Sequence, residues 1–147
     1  MLNEWIIVFR LVLSAILSGI VGFEREFHGR AAGFRTHILL CVGSTLIMLT
    51  SIHIFDVYSA RVPIDPARLA AGVVTGIGFL GAGTIMRYKA SVRGLTTATS
   101  LWVVAGIGLA IGVGFYSAGI FTAILALITL FFLRRLEGMM LFRKKID

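Results

Sequence analysis

Five apolar stretches, each long enough to cross a lipid bilayer as a helix, divide this 147-residue chain. Spanning the roughly 30 Å hydrocarbon core takes about 17–25 predominantly apolar helical residues. The composition agrees, because 58% of the residues are hydrophobic and 14% are charged. No stretch alternates with the two-residue period of a membrane barrel strand. The sequence therefore predicts one all-α transmembrane domain over residues 1–133, with spans at about 5–23, 36–55, 69–86, 95–114 and 117–133.

The positively charged residues lie mainly on one side of these spans. Three follow the first span, three follow the third, and five lie in the tail at 134–147, whereas the opposite side has only Arg61 and Arg68. By the positive-inside rule, this bias predicts an N-terminus outside the membrane and a basic cytoplasmic tail. The same charges attract anionic lipid at the cytoplasmic face. They form no basic stripe interleaved with aromatic residues, so nucleic-acid binding is not expected.

The third span is rich in glycine, at Gly72, Gly76, Gly78, Gly81 and Gly83. Residues 76–81 match the G-x-G-x-x-G pattern of dinucleotide-binding loops, but no acidic residue lies between Asp65 and Glu137 to bind the ribose. On a helix the small residues share an arc of about 160°. This arc predicts close packing of helices 3 and 4 and favours self-association as a dimer. The alternative is a helix broken at 76–83, with freed carbonyls lining a cavity.

Polar residues also recur on one side of the first span. Arg10, Ser14, Ser18 and Arg25 fall within an arc of about 80°, with Glu24 at its edge. Arg10 either faces the interior of the bundle, where a charge marks a candidate ligand or ion pathway, or extends to the outer interface. Both alternatives stay open at the level of sequence.

The fourth span opens with hydroxyl side chains directly after Arg93. They are Thr96, Thr97, Thr99 and Ser100, at the end of the helix where the first backbone N–H groups lack partners. These residues either bind an anion such as a lipid phosphate or cap the helix. Arg35, Asp65 and Arg68 complete the set of candidate ligand or ion-pathway residues.

Few carboxylates are available to bind a cation. Glu24 and Asp56 are weak metal candidates at the ends of the first two helices, and no two of the three histidines lie one helical turn apart. We expect no resident cofactor, although Mg²⁺ remains possible because it keeps most of its waters and needs only one or two carboxylates. No nucleophile-elbow or HExxH pattern occurs, so we expect no enzyme activity.

Four segments together resemble the MgtC/SapB family of bacterial inner-membrane proteins, and the resemblance extends from about Leu17 to Phe132. They are GFEREFHGRAAGFRTH (22–37), DPARLAAG (65–72), TGIGFLGAGTIM (75–86) and VRGLTTATSLWVVAGIG (92–108). The resemblance implies a multi-pass inner-membrane protein linked to magnesium limitation and, in some members, to virulence. It implies either binding or transport of Mg²⁺ or another small ion, or regulation of another membrane protein such as the ATP synthase.

Many positions match the motifs of that family. They are Glu24, Arg25, Gly33, Arg35, Thr36, Asp65, Arg68, Gly76, Gly78, Gly81, Gly83, Arg93, Gly94, Thr96 and Thr97. This chain departs from many members at Gly72, where they have glutamine, and so loses a polar group from helix 3. Longer members continue into a soluble cytoplasmic domain, which we do not expect here.

Overall fold

The computed structural model describes residues 3–89 and 91–133, which form five α-helices, one π-helical turn and a two-stranded hairpin. The predicted tail at 134–147 lies outside the described residues. In chain order the elements are α1 (Glu4–Phe27), α2 (Phe34–Tyr58), α3 (Ala67–Thr84), β1 (Met86–Tyr88), β2 (Ser91–Arg93), α4 (Leu95–Val113), α5 (Tyr116–Ile128) and the π-helical turn Thr129–Leu133.

The fold class predicted from the sequence is confirmed. Four helices, α1 to α4, are long and apolar enough to cross a membrane. The fifth predicted span is occupied by α5 and the π-helical turn, which make a shorter apolar helix. Both α1 and α2 extend beyond their predicted spans, because backbone hydrogen bonding continues into the polar residues at the helix ends. The orientation of the termini stays a prediction.

The glycine-rich helix α3 is continuous. It runs without a break from Ala67 to Thr84 and includes all of residues 76–83, so the alternative of a helix broken there is wrong. Each helical residue in a bilayer keeps its backbone hydrogen bond, which offsets the low helix propensity of glycine. A hairpin that was not predicted from the sequence follows α3. In it, Met86 pairs with Arg93 and Tyr88 with Ser91.

Helix α4 occupies the centre of the bundle, where it contacts α1, α2, α3 and α5. Its side chains Val104, Ile107 and Ile111 are fully buried and pack with Val21 of α1 and Cys41 of α2. A second, smaller cluster joins α4 to α3. Among the described helices, α4 therefore supplies the largest share of the core and contacts all the others.

Two glycines let α4 and α2 approach closely. A Cβ atom at Gly108 would collide with the carbonyl oxygen of Cys41 and lie 2.8 Å from the Cβ of Ser44. A Cβ atom at Gly112 would lie 2.6 Å from the Cβ of Met48. Small residues at such crossings allow the van der Waals contact that drives helix association in lipid.

The two ends of the bundle differ in their charged residues. The basic end carries Arg25 at the end of α1, Arg30 in the following loop, and Arg93 at the end of β2. The opposite end carries Arg10 near the start of α1 and Asp56 near the end of α2.

The glycine contact predicts a clear difference between two substitutions on one helix. Gly108→Ala should lower the free energy of unfolding by about 1–3 kcal/mol, because α4 and α2 must move apart. Gly106→Ala is the matched control, since a Cβ atom there meets no described atom within 4 Å; it should leave stability unchanged or raise it by up to about 1 kcal/mol. Reversible unfolding in mixed micelles measures both. Equal effects would contradict the proposed helix contact.

Candidate functional site

Arg10 faces the interior of the bundle, which decides between the two alternatives left by the sequence. The residue is only 8% exposed. Its Nη1 donates a hydrogen bond to the carbonyl oxygen of Gly112 at 2.7 Å, and its Nε donates to the Tyr116 hydroxyl at 3.0 Å. The last carbonyls of a helix carry partial negative charge, so the guanidinium caps the end of α4. Arg10 thus joins α1, α4 and α5 at the opposite end of the bundle.

The turn after α4 is shaped around this arginine. Gly114 has φ 94°, in the left-handed region, and a Cβ atom there would lie 2.7 Å from Nη2 of Arg10. Glycine satisfies both requirements, because it adopts positive φ readily and leaves room for the guanidinium.

The serines of the predicted polar seam are bonded within their own helix. The Ser14 hydroxyl donates to the Leu11 carbonyl at 2.8 Å, and the Ser18 hydroxyl donates to the Ser14 carbonyl at 2.7 Å. Both residues are fully buried. A water-filled pathway needs polar atoms turned toward a cavity, and these hydroxyls are turned toward the backbone instead.

Other buried polar groups join helices. The Thr45 hydroxyl on α2 lies 2.9 Å from the Gly108 carbonyl of α4. Nε2 of fully buried His37 lies 3.2 Å from the Ser100 hydroxyl, which donates to the Thr97 carbonyl at 2.9 Å. Of these, only Ser100 and Thr97 were sequence candidates. His37 ends the motif at 22–37 but was not chosen as a site residue, and Thr45 lies in none of the quoted motifs.

The candidate carboxylates are not brought together. Glu24 lies at the basic end, where an oxygen of its carboxylate is 2.8 Å from Nδ1 of His28 and another is 3.6 Å from Nη1 of Arg25. Asp56 lies near the far end of α2. At about 1.5 Å per residue, it is about 33 Å along the helix axis from the start of α2, which lies at the end of the bundle that carries Glu24. Asp65 accepts a hydrogen bond from the Ala67 N–H and so caps α3.

Among residues 3–89 and 91–133, no group of three or more histidine, cysteine, aspartate or glutamate side chains could hold a metal ion. The two weak metal candidates, Glu24 and Asp56, therefore do not share a site. Arg35 and Arg68 are exposed near the starts of α2 and α3, at the basic and opposite ends respectively.

The glycines predicted to pack helix 3 on helix 4 divide into two groups. A Cβ atom at Gly81 would lie 3.6 Å from the Cβ of Ala98, which is ordinary packing contact. No described atom lies within 4 Å of the corresponding position at Gly72, Gly76, Gly78 or Gly83. Helix α3 packs on α4 through its bulky side chains, including Val73 and Ile77, because those bury more apolar surface.

Two of these open glycines border an apolar groove between α2 and α3. Its volume is about 750 Å³, and Gly43 of α2 together with Gly72 and Gly76 of α3 contribute to its lining. Gly72, Gly76 and Gly83 lie within about 40° on the surface of α3, at roughly 100° per residue. The small face therefore points outward from the described bundle.

The start of α4 does not carry the cap expected as one alternative from the sequence. Gly94 is the N-cap residue and no side-chain cap is formed. The Thr99 hydroxyl donates to the carbonyls of Leu95 and Thr96. It therefore provides no acceptor for the first backbone N–H groups of α4. Exposed Thr96 and buried Thr97 instead line a cleft that also includes Arg93.

These features define a helical membrane protein whose intramembrane polar groups mainly bond within the bundle. The sequence profile described as the MgtC family matches residues 11–139. The chain belongs to the MgtC family.

Curated relatives agree with this assignment. The chain is 47% identical over 125 residues to "Putative magnesium transporter YhiD" of Escherichia coli K12, a match that covers 84% of this chain and 58% of that protein. It is 39% identical over 120 residues to "Protein MgtC" of Salmonella typhimurium LT2, covering 82% and 49%. An uncharacterized protein of Haemophilus influenzae is 37% identical over 132 residues, covering 87% and 56%. The chain thus spans about half the length of these relatives. No solved structure matches it.

The arginine contact predicts a stability difference between two arginines at the opposite end. Arg10→Met removes the hydrogen bonds to the Gly112 carbonyl and the Tyr116 hydroxyl, and should cost about 2–3 kcal/mol, because bonds from charged donors are strong. Exposed Arg68→Met is the matched control and should stay within about 0.5 kcal/mol. Apparent melting temperatures in one detergent measure both. A similar shift for the two variants would show that Arg10 does not hold α4.

Proposed function

We propose that this protein is a non-enzymatic regulator in the bacterial inner membrane, which acts in adaptation to magnesium limitation by binding a transmembrane helix of another membrane protein. The partner helix binds in the groove between α2 and α3. The observation that carries the proposal is the outward face of Gly72, Gly76 and Gly83, because a Cβ atom added at any of them would meet no atom of another described helix within 4 Å. Gly72 and Gly76 also line the groove.

The energetics of these glycines support a partner. Each glycine lowers the stability of a helix by about 1 kcal/mol relative to alanine. Within the described chain no close contact offsets that loss at Gly72, Gly76 or Gly83. A helix from a partner could approach the exposed backbone closely and supply the missing van der Waals contact, as small-xxx-small pairs do. Gly72 and Gly76 form such a pair.

The family resemblance suggests the membrane sector of the ATP synthase as the partner to test first. The groove accepts a helix with aliphatic side chains, because its lining is almost entirely apolar. Association with a second copy of this chain through the same face is the competing outcome.

Transport of Mg²⁺ is a second candidate. Its support is the name of the Escherichia coli relative and a cleft of about 190 Å³ at the opposite end, lined by His53 and Asp56. A single carboxylate can bind hydrated Mg²⁺, which gives up its waters reluctantly. The described bundle offers no further carboxylate between Asp56 and Glu24, so this candidate is the weaker one.

The docking proposal predicts that added bulk on α3 prevents binding. Gly76→Leu should reduce co-purification of the ATP synthase membrane sector from Escherichia coli membranes by at least about tenfold, because overpacking by 1–3 kcal/mol or more is expected at a close helix contact. Gly106→Leu is the matched control, since it adds the same bulk to an open position on α4. Expression level and melting temperature of both variants establish that they fold.

Two results would contradict the proposal. One is co-purification that Gly76→Leu leaves unchanged. The other is a cross-link from position 76 that joins only two copies of this chain, which would make the groove a dimer interface.

A further inference from the structure

A strongly positive cleft lies at the basic end of the bundle. Its volume is about 470 Å³, and three arginines from three different segments line it. Arg25 comes from the last turn of α1, Arg30 from the loop after α1, and Arg93 from the end of β2. None of the described residues that line the cleft is acidic. The chain thus directs three guanidinium-bearing side chains to one cavity outside the bundle core.

The first turn of α4 completes the lining. Gly94 has φ 93°, and a Cβ atom at this position would collide with the carbonyl oxygen of Thr84. Glycine is therefore required at the N-cap, and it brings no side chain that could accept from the helix. The first intrahelical bond is from the Ala98 N–H to the Gly94 carbonyl, so the N–H groups of residues 95–97 have no acceptor within α4.

The three arginines differ in exposure, so that two lie at the entrance of the cleft and one lies at its base. Arg25 is 3% exposed and lies in the interior, beside the Glu24 carboxylate, whereas Arg30 and Arg93 are exposed at the surface. The guanidinium of Arg93 lies 5.9 Å from the centre of the Tyr88 ring, a cation–π contact that restrains it at the rim. Because Glu24 also contacts His28, its single charge offsets only part of the positive charge.

We propose that this cleft binds a phosphate group. Guanidinium groups match phosphate oxygens in shape and donate paired hydrogen bonds to them, and the start of a helix adds backbone donors and a partial positive charge. Like charges arranged around one cavity repel, and a bound phosphate removes that repulsion. The proposal rests on the three arginines and does not depend on the regulatory function proposed above.

The phosphate belongs either to an anionic lipid headgroup or to a soluble molecule, and the chemistry at the cleft is the same. The cleft lies at the ends of the apolar helices, at the level where lipid headgroups lie. Two binding measurements separate the sources. Native mass spectrometry measures phosphatidylglycerol retained in competition with phosphatidylcholine, and equilibrium binding in neutral detergent measures radiolabelled inorganic phosphate.

The variants are Arg30→Gln and Arg93→Gln, each of which removes one exposed charge from the rim. In whichever assay the wild-type protein binds, each variant should bind at least about tenfold more weakly, as expected for loss of a charged hydrogen-bond donor. Arg87→Gln is the matched control, because Arg87 is an exposed arginine on the same hairpin and does not line the cleft. It should bind within about twofold of wild type.

Selective retention of phosphatidylglycerol that both cleft variants lose identifies a lipid headgroup as the source. Binding of inorganic phosphate with the same variant pattern identifies a soluble ligand. Failure of the wild-type protein in both assays overturns the proposal. So does an equal loss for Arg87→Gln, since that result reflects surface charge in general.

Discussion

The contact between α4 and α2 is the interaction on which the rest of the structure depends. Gly108 and Gly112 bring the two backbones together, and the Thr45 hydroxyl lies 2.9 Å from the Gly108 carbonyl across this contact. In lipid, apolar side chains gain little by leaving the bilayer, so close packing and interhelical hydrogen bonds must hold the helices. The last turn of α4 accepts a hydrogen bond from Arg10, and its first turn lines part of the basic cleft. Its sides pack against α3 and α5.

In this arrangement the charged and polar groups inside the apolar bundle bond to the bundle itself. Arg10 caps a helix, the seam serines bond to their own backbone, and His37 and Thr45 lie at contacts between helices. A buried polar group is stable only when it is hydrogen-bonded, and here the partners come from the bundle itself. The polar groups that remain open to ligands lie at the two ends of the bundle, in the arginine-lined cleft at the basic end and in the smaller cleft with His53 and Asp56 at the opposite end.

Much of the fold follows from the sequence, because a bilayer permits few structures and helix length is readable from apolar stretches. The presence of Arg10 in a span was visible, but its partner Gly112 lies 102 residues away and no local pattern links them. The glycines of α3 and α4 look alike in sequence, and only three-dimensional packing distinguishes them. A Cβ atom at Gly108 would collide with α2, whereas one at Gly76 would meet no atom of another described helix within 4 Å. The site was predicted in part: Arg93, Thr96 and Thr97 were candidates at the start of α4. Arg25 was also a candidate, in the polar seam of the first span, whereas Arg30 was not. Both join the start of α4 only because the loop after α1 and the hairpin come together.

We propose that the polar groups within the bundle maintain its structure and do not conduct ions. The most direct test is uptake of Mg²⁺ into sealed liposomes that contain the purified protein, with protein-free liposomes and an Asp56→Asn variant measured in parallel. We expect the wild-type protein to give no uptake above protein-free liposomes, because the described bundle has no continuous series of oxygen ligands. Saturable uptake that Asp56→Asn abolishes would show instead that the bundle conducts Mg²⁺.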